Sequence, residues 1–223
     1  MIHSRFAVFK SIFFVKISFL ILKNIIKLYK KKDIISGNNG PVINEGINII
    51  EIALRTDVSQ KAAELILKNF PQILVGLGTV INEDQVRFAL DSGVNFAVSP
   101  GCNTKIIDLA FKNNLPFYPG ISCPSDIEIS VDHGCKILKF FPAENLGGIN
   151  YLNSINAPYN HLNLKYIPLG GINLSNVKNY LNSELVLGIG GSWIAPRNLI
   201  NQKKWNDISS NAKEITKLVS SQG

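Results

Sequence analysis

A lone lysine lies within a hydrophobic run at Ile137-Leu-Lys-Phe-Phe-Pro-Ala-Glu144. If this run forms a β-strand, Lys139 and Phe141 share one face, because successive side chains of a strand point to opposite faces. A run this apolar is typical of a strand covered on both sides, where a charged ammonium is unfavourable unless it is paired or neutral. A desolvated lysine has a lowered pKa, and its neutral amine can attack a carbonyl to form a Schiff base. The alternative is a lysine at a strand end whose ammonium reaches solvent.

A carboxylate and a guanidinium occur together in a second run, Ile50-Glu-Ile-Ala-Leu-Arg-Thr56. The strand period puts Glu51 and Arg55 on one face, with about 13 Å of strand rise between their Cα atoms. A carboxylate can transfer the proton of a substrate hydroxyl, and the forked guanidinium suits a substrate carboxylate. Arg55 would favour the neutral amine of Lys139 by like-charge repulsion, whereas Glu51 would favour the ammonium. A buried ion pair without a chemical role is the alternative.

Glycines follow most of the other apolar runs. These run ends are Gly76-Leu-Gly-Thr79, Ser99-Pro-Gly101, Pro119-Gly-Ile-Ser122, Pro168-Leu-Gly-Gly171 and Gly188-Ile-Gly-Gly-Ser192. Glycine lets a ligand approach the backbone closely, or it supplies a turn. The last two runs favour a phosphate site, because loops after the seventh and eighth strands of α/β barrels commonly bind phosphate. The last run lacks the third glycine of a dinucleotide fingerprint.

The elements that must position these residues alternate along the chain. Apolar runs of strand length occupy 49–54, 73–77, 96–98, 116–118, 137–141, 166–169 and 185–189, and segments of helical length occupy 58–69, 83–93, 104–114, 124–134, 144–155 and 174–181. With one more strand in the N-terminal segment, this alternation predicts parallel pairing and closure into a (β/α)8 TIM barrel of the α/β class. A doubly wound open sheet of six or seven strands is the alternative. In a barrel, the polar residues at the strand ends form the active site.

The N-terminal segment, residues 1–40, differs in charge from the remainder of the single predicted domain, residues 41–223. Residues 1–32 hold eight basic and no acidic side chains, so the +7 net charge of the chain leaves 15 basic and 16 acidic residues from position 33 onward. A nearly neutral body argues against a nucleic-acid groove. Lys10 and Lys16 interrupt the apolar stretch 6–22, which disfavours a membrane span or a signal peptide. We predict instead a first strand over 17–22, followed by a lysine-rich helix to about Lys32.

Cysteine and histidine spacing points away from disulfides and metals. The three cysteines, Cys102, Cys123 and Cys135, are odd in number and form no C-x-x-C pair, which suits a reducing cytoplasm. The three histidines lie far apart and match no metal-binding pattern. We therefore predict that no metal takes part.

Six short motifs occur together in the order and at the spacing of one family. They are Glu51-Ile-Ala-Leu-Arg-Thr56, Gly76-Leu-Gly-Thr-Val80, Ser99-Pro-Gly101, Pro119-Gly-Ile-Ser122, Lys139-Phe-Phe-Pro-Ala-Glu144 and Gly190-Gly-Ser-Trp193. From about Pro41 to its C-terminus, the chain resembles the 2-dehydro-3-deoxy-phosphogluconate aldolases of the KHG/KDPG aldolase family. The resemblance implies a cytoplasmic, homotrimeric (β/α)8 barrel that uses no metal or organic cofactor. It implies class I cleavage of 2-dehydro-3-deoxy-6-phosphogluconate to pyruvate and glyceraldehyde 3-phosphate, and of 4-hydroxy-2-oxoglutarate to pyruvate and glyoxylate.

The resemblance also implies roles for individual residues. Lys139 corresponds to the Schiff-base lysine and Glu51 to the general acid/base. The other matching positions belong to substrate binding: Arg55 and Thr79 at the keto-acid carboxylate with Gly78 beside them, Pro100 and the aromatic Phe141 around the substrate, and Gly170, Gly171, Gly191 and Ser192 at the phosphate.

Two regions depart from the family pattern. Leu169 replaces the usual threonine of a Pro-Thr-Gly-Gly run, so a hydroxyl near the distal end of the substrate is lost. Before Pro41 the chain has extra residues, and Gly37-Asn-Asn-Gly40 would break the first helix, so we expect an irregular first βα unit. Two alternatives stay open: a sister aldolase for 2-dehydro-3-deoxy-6-phosphogalactonate, and a non-catalytic barrel that binds phosphosugars or associates with a membrane.

Overall fold

Nine strand segments form the centre of the protein, which a computed structural model describes at residues 12–17, 42–43 and 45–221. The segments are β1 Ile12–Ile17, β2 Ile49–Ala53, β3 Leu74–Gly78, β4 Phe96–Val98, β5 Phe117–Tyr118, β6 Gly120–Ile121, β7 Ile137–Phe140, β8 Lys165–Pro168 and β9 Gly188–Gly191. Pro119 separates β5 from β6, and a proline cannot donate a hydrogen bond to a neighbouring strand. The two segments are therefore halves of one interrupted strand, which makes eight strands.

The strands follow one another around a closed ring. One sheet has the order β5-β4-β3-β2-β1-β9 and the other the order β6-β7-β8, with every pair parallel. The sheets meet at the interruption between β5 and β6. They meet again between β8 and β9, where isolated parallel bridges join Tyr166 to Val186 and Leu169 to Gly190. This is the strand order of the (β/α)8 barrel that the sequence predicts.

From β2 to β9, a helix connects each strand of the barrel to the next, and two more helices follow β9. The helices are α1 Ser59–Asn69, α2 Glu83–Ser92, α3 Thr104–Lys112, α4 Pro124–Asp132, α5 Gly148–Asn156, α6 Val177–Leu181, α7 Arg197–Asn201 and α8 Trp205–Ser220, with 3₁₀ turns at Glu144–Leu146 and Ala157–Leu162. Local sequence sets the ends of α2, because the Asn82 side chain accepts a hydrogen bond from the Gln85 N–H and Gly93 follows in the left-handed conformation. Among the described residues, no helix has both the length and the hydropathy to cross a membrane.

The largest differences from the sequence prediction concern the first strand, the last strand, one divided helix and the C-terminal helices. The first strand is Ile12–Ile17, so the prediction of 17–22 starts five residues late; residues 18–22 and the predicted helix to Lys32 lie outside the described residues. The last strand starts at Gly188 instead of at position 185. Gly147, at φ +112°, divides the helix predicted over 144–155 into a 3₁₀ turn and α5. Helices α7 and α8 were not predicted.

Two hydrophobic cores result from the alternation of side chains along the strands. Ile50 and Ile52 of β2 belong to the larger core, which also contains the buried faces of the helices. Ile49 belongs to a smaller core with Phe96, Val98, Tyr118, Ile167 and Leu169, all of them on or at the end of barrel strands. Because alternate residues share a face, Glu51 lies on the same side of β2 as Ile49. The barrel interior thus holds an apolar layer with a carboxylate above it.

Candidate active site

A lysine and a carboxylate meet inside the barrel. The Nζ atom of Lys139 on β7 lies 3.6 Å from Oε1 of Glu51 on β2, and the two side chains are only 2% and 3% exposed. The centroid of the Phe141 ring is 5.4 Å from the same Nζ atom. Oε1 of Glu51 is buried and accepts no hydrogen bond from the residues that the structure describes. A buried acceptor of this kind suits a hydroxyl or water that arrives with a substrate.

Gly78 leaves room for this carboxylate. A Cβ atom at position 78 would lie 2.0 Å from Oε1 and 2.7 Å from Cδ of Glu51. Gly78 is the last residue of β3 and pairs with Ala53 of β2, so its backbone cannot withdraw without disturbing the strand pair. The position of the Glu51 carboxylate therefore depends on the absence of a side chain at position 78.

Gly78→Ala is expected to displace the Glu51 carboxylate and to lower turnover by about 10–100-fold, since misplacement of a catalytic group by 1 Å can have such an effect. Steady-state cleavage assays measure this. Gly101→Ala is the matched control, because a Cβ atom at position 101 would meet nothing within 4 Å. Wild-type turnover in the Gly78→Ala variant would show that the reaction does not need Glu51 where the structure places it.

Arg55 lies just beyond the end of β2 instead of on the strand. Its backbone N–H folds back to the Ala53 carbonyl, at 2.9 Å, and its side chain is exposed. The Nε atom donates a hydrogen bond of 3.2 Å to Oγ1 of Thr79. Thr79 has a φ of +62°, a conformation that is unfavourable by about 1–3 kcal/mol for a branched residue and is concentrated at functional sites. The strained turn thus holds a guanidinium next to Gly78 and the buried carboxylate.

Pro100 lies against the strand next to Lys139. Gly120 pairs with Lys139 across β6 and β7, and a Cβ atom at position 120 would lie 2.2 Å from the Pro100 carbonyl oxygen. Oγ of Ser99 donates to the Gly101 carbonyl at 2.6 Å and accepts from the Gly120 N–H at 3.4 Å. The backbone around Pro100 is therefore fixed beside the lysine strand, while the proline itself is exposed.

The four residues predicted at the phosphate end lie at one edge of the barrel. The bridge between Leu169 and Gly190 places Gly170 and Gly171 next to Gly191 and Ser192 on the neighbouring strand. Gly170 also approaches the lysine end, since a Cβ atom there would lie 3.3 Å from Cδ2 of Phe141. The predicted residues therefore form a path from Lys139 to the exposed Ser192.

Leu169 fills a space that glycine provides on β9. A Cβ atom at position 190 would lie 2.6 Å from Cδ2 of Leu169, whose side chain is buried in the smaller core with Ile167. The leucine that replaces the threonine of the family pattern is thus accommodated by Gly190. The barrel wall is apolar between Lys139 and the two glycine loops, Gly170-Gly171 after β8 and Gly191-Ser192 at the end of β9.

Other candidate nucleophiles and bases of the interior are held in their neutral forms. Burial raises the pKa of the Cys135 thiol to about 12 and, as the leading cause, also raises the pKa of Cys102. Burial likewise raises the pKa of Tyr118, in the smaller core, to about 12. At neutral pH these groups are protonated, so none of them supplies a thiolate or a phenolate.

Sequence reasoning did not identify two residues beside the glycine loops. Glu144 and Tyr180 are 36 positions apart, yet the Tyr180 hydroxyl donates a hydrogen bond to Oε1 of Glu144. Glu144 ends a motif that the sequence reveals, but its partner in the short helix α6 has no spacing signal. Within the described ranges, no group of three or more histidine, cysteine or acidic side chains is arranged to hold a metal ion.

The structure defines the class of protein as a parallel α/β barrel with a buried lysine–carboxylate pair in its interior. Comparisons with known proteins agree. Residues 17–211 match the family described as KDPG and KHG aldolase. The chain is 36% identical to the 2-dehydro-3-deoxy-phosphogluconate aldolase of Haemophilus influenzae, covering 78% of this chain and 81% of the relative. It is also 36% identical to the KHG/KDPG aldolase of Escherichia coli, over 76% of this chain and 78% of the relative.

A solved structure gives the same result. The KDPG aldolase of Legionella pneumophila, with pyruvate captured at low pH as a covalent carbinolamine intermediate, superposes with a TM-score of 0.80 at 31% identity, covering 96% of this chain and 97% of the other. The predicted α/β barrel fold is therefore confirmed. The chain belongs to the KDPG and KHG aldolase family.

Proposed function

We propose that the chain is a class I aldolase that cleaves 2-dehydro-3-deoxy-6-phosphogluconate to pyruvate and glyceraldehyde 3-phosphate. The same site would cleave 4-hydroxy-2-oxoglutarate to pyruvate and glyoxylate. The observation that carries the proposal is the buried Lys139 amine, 3.6 Å from the Glu51 carboxylate. Assays of pyruvate release from each compound test it directly, and absence of release from both would refute it.

Lys139 forms the covalent intermediate in this proposal. Its neutral amine attacks the C2 carbonyl of the substrate to give a carbinolamine, which takes up a proton and loses water to form a protonated imine. The carbinolamine captured with pyruvate in the Legionella pneumophila relative supports this step. Burial at 2% exposure keeps bulk water away from the amine.

Glu51 moves the proton that accompanies cleavage. The carboxylate accepts the proton of the C4 hydroxyl, directly or through a water, as the C3–C4 bond breaks and its electron pair flows to the nitrogen of the protonated imine. The aldehyde leaves, and an enamine of pyruvate remains on Lys139. Protonation of the enamine at C3 and hydrolysis of the imine then release pyruvate and restore the amine.

Two polar ends orient the substrate. Arg55 and Thr79, joined by their hydrogen bond of 3.2 Å, receive the carboxylate next to C2. Gly170, Gly171, Gly191 and Ser192 receive the phosphate through backbone N–H groups and one hydroxyl. Pro100 and the Phe141 ring enclose the carbon chain between these ends.

Ser192→Ala is expected to raise the KM for the phosphorylated substrate by about tenfold, because a hydrogen bond to a charged group is lost. Cleavage of 4-hydroxy-2-oxoglutarate, which carries no phosphate, should stay within about twofold of wild type. Kinetics on both substrates decide the matter, with the exposed helical Ser154→Ala as the control. Equal rises in KM for both substrates would show that the phosphate does not bind at the end of β9.

Activity is expected to survive EDTA, because the lysine imine accepts the electron pair that a class II aldolase would pass to a metal-bound carbonyl. Cleavage rates before and after chelation and dialysis measure this. Loss of activity with EDTA and its recovery on addition of a divalent ion would contradict the proposed mechanism.

Family membership also supports expectations about assembly and location. We propose that the chain assembles as a homotrimer and works in the cytoplasm, where its three cysteines, all free in the structure, would stay reduced.

A further inference from the structure

A buried tyrosine holds a glutamate at the base of the glycine loops. Tyr180 of α6 is 1% exposed, and its hydroxyl donates a hydrogen bond to Oε1 of Glu144 in the turn that follows β7. Burial, followed by the contact with Glu144, raises the pKa of the Tyr180 phenol. The phenol therefore stays protonated at neutral pH and remains a donor to the carboxylate.

Glu144 in turn contacts both residues of the first glycine loop. Its backbone N–H donates a hydrogen bond of 3.0 Å to the Gly170 carbonyl. The preceding residues of both segments are bonded in the same way, since the Ala143 N–H donates to the Leu169 carbonyl at 2.8 Å. Gly171 has a φ of +81°, and a Cβ atom there would lie 2.6 Å from Cβ and 2.9 Å from Cγ of Glu144. The stem of the glutamate side chain thus packs directly on the Gly171 backbone.

Two asparagines fix the other side of the loop. The side-chain amides of Asn173 and Asn176 donate to the Gly171 carbonyl at 3.2 and 3.1 Å. With the carbonyls of Gly170 and Gly171 both engaged, planarity of the peptide groups turns the N–H groups of Gly171 and Ile172 to the opposite side. Within the described part of the chain, these two N–H groups donate no hydrogen bond. They are therefore oriented donors that an anion can use.

We propose that Glu144, held by Tyr180, is a positioning residue for the phosphate-binding peptide groups of Gly171 and Ile172. The inference rests on the proposed function, because it concerns the phosphate end of that same site. Glu144 does not contact the phosphate; it acts through the Gly170 carbonyl and through the packing of its side-chain stem on Gly171. Tyr180 acts one step further away, by keeping the carboxylate and its stem in place.

Tyr180→Phe tests this role. It is expected to raise the KM for 2-dehydro-3-deoxy-6-phosphogluconate about tenfold, while kcat on this substrate and both constants for 4-hydroxy-2-oxoglutarate stay within about twofold. Tyr166→Phe is the matched control, since Tyr166 is equally buried and loses a similar hydrogen bond, of 2.7 Å to Asn156, on β8. In the Tyr166→Phe control, the KM and kcat values for both substrates should stay within about twofold of wild type, because the Tyr166 hydroxyl does not bond to the glycine loop.

Glu144 variants give a second measurement that does not depend on Tyr180. Glu144→Ala should reproduce the selective rise in KM, whereas Glu144→Gln should stay within about threefold of wild type because its amide oxygen still accepts the bond. Unchanged KM values in both Tyr180→Phe and Glu144→Ala, equal effects on the two substrates, or tighter phosphate binding in Glu144→Ala would each overturn the inference. If the wild-type chain cleaved neither substrate, the proposed function would fail instead, so the two failures are distinguishable.

Discussion

Lys139→Ala is expected to abolish cleavage of both substrates, together with covalent labelling by pyruvate in the presence of borohydride. Borohydride reduces the imine to a stable secondary amine, so peptide mapping by mass spectrometry should find the label on Lys139 in the wild-type chain. The alanine variant also leaves the buried Glu51 carboxylate without its partner, which lowers stability by about 3–5 kcal/mol. Lys139→Met retains the length of the side chain and should give the same loss of labelling in a better-packed protein.

Lys136→Ala provides the matched control for this experiment. Lys136 lies three residues earlier, is exposed, and precedes the strand that carries Lys139. Its replacement should leave labelling and turnover unchanged. If a label persisted in Lys139→Met, another lysine would carry the imine, and the assignment of Lys139 would be wrong.

Glu51→Gln should lower turnover by about 10²–10⁴-fold, the usual contribution of a positioned acid or base. The amide keeps the shape of the carboxylate but cannot accept the C4 proton. Borohydride labelling with pyruvate should be reduced much less, because pyruvate has no C4 hydroxyl to deprotonate. Comparison of turnover with the rate of labelling separates the two steps.

Glu64→Gln is the control for the loss of a carboxylate, since Glu64 lies exposed on α1 and pairs with Lys61 at 2.8 Å. Its kinetics should match those of wild type. Equal losses of labelling and turnover in Glu51→Gln would mean that Glu51 supports imine formation instead of C–C cleavage.

Most of the barrel was predictable because strands and helices differ in length and in hydrophobic period. The first strand was misplaced because the stretch 6–22 is apolar almost throughout, so periodicity cannot locate a strand in it. Pairing locates it instead: Val15 aligns with Ile50 of β2, and Ile12 aligns with Gly188 of β9. The C-terminal helix was missed although Ile208, Ala212 and Ile215, which are buried in the structure, recur at helical spacing.

The candidate site was predictable only where its residues share a motif or a strand end. The sequence indicates that Lys139 and Glu51 lie on strands of one barrel, but their separation of 3.6 Å depends on how β2 and β7 face each other across the barrel. The contact of Tyr180 with Glu144 joins two connecting segments, and no rule of spacing predicts it. The sequence predicts Gly78 beside the substrate carboxylate, and only the structure shows that it also leaves room for Glu51.

The inward glycines of the strands carry a consequence for how this sequence can evolve. The space over Gly78 is taken by the Glu51 carboxylate, that over Gly120 by the Pro100 carbonyl, and that over Gly190 by the Leu169 side chain. Each glycine and its occupant form a coupled pair, and substitutions within such a pair are not additive. In descendants of this chain, an alanine at position 190 should therefore appear only with a smaller residue at position 169. Position 78 has no such freedom, because its occupant is the proposed catalytic carboxylate.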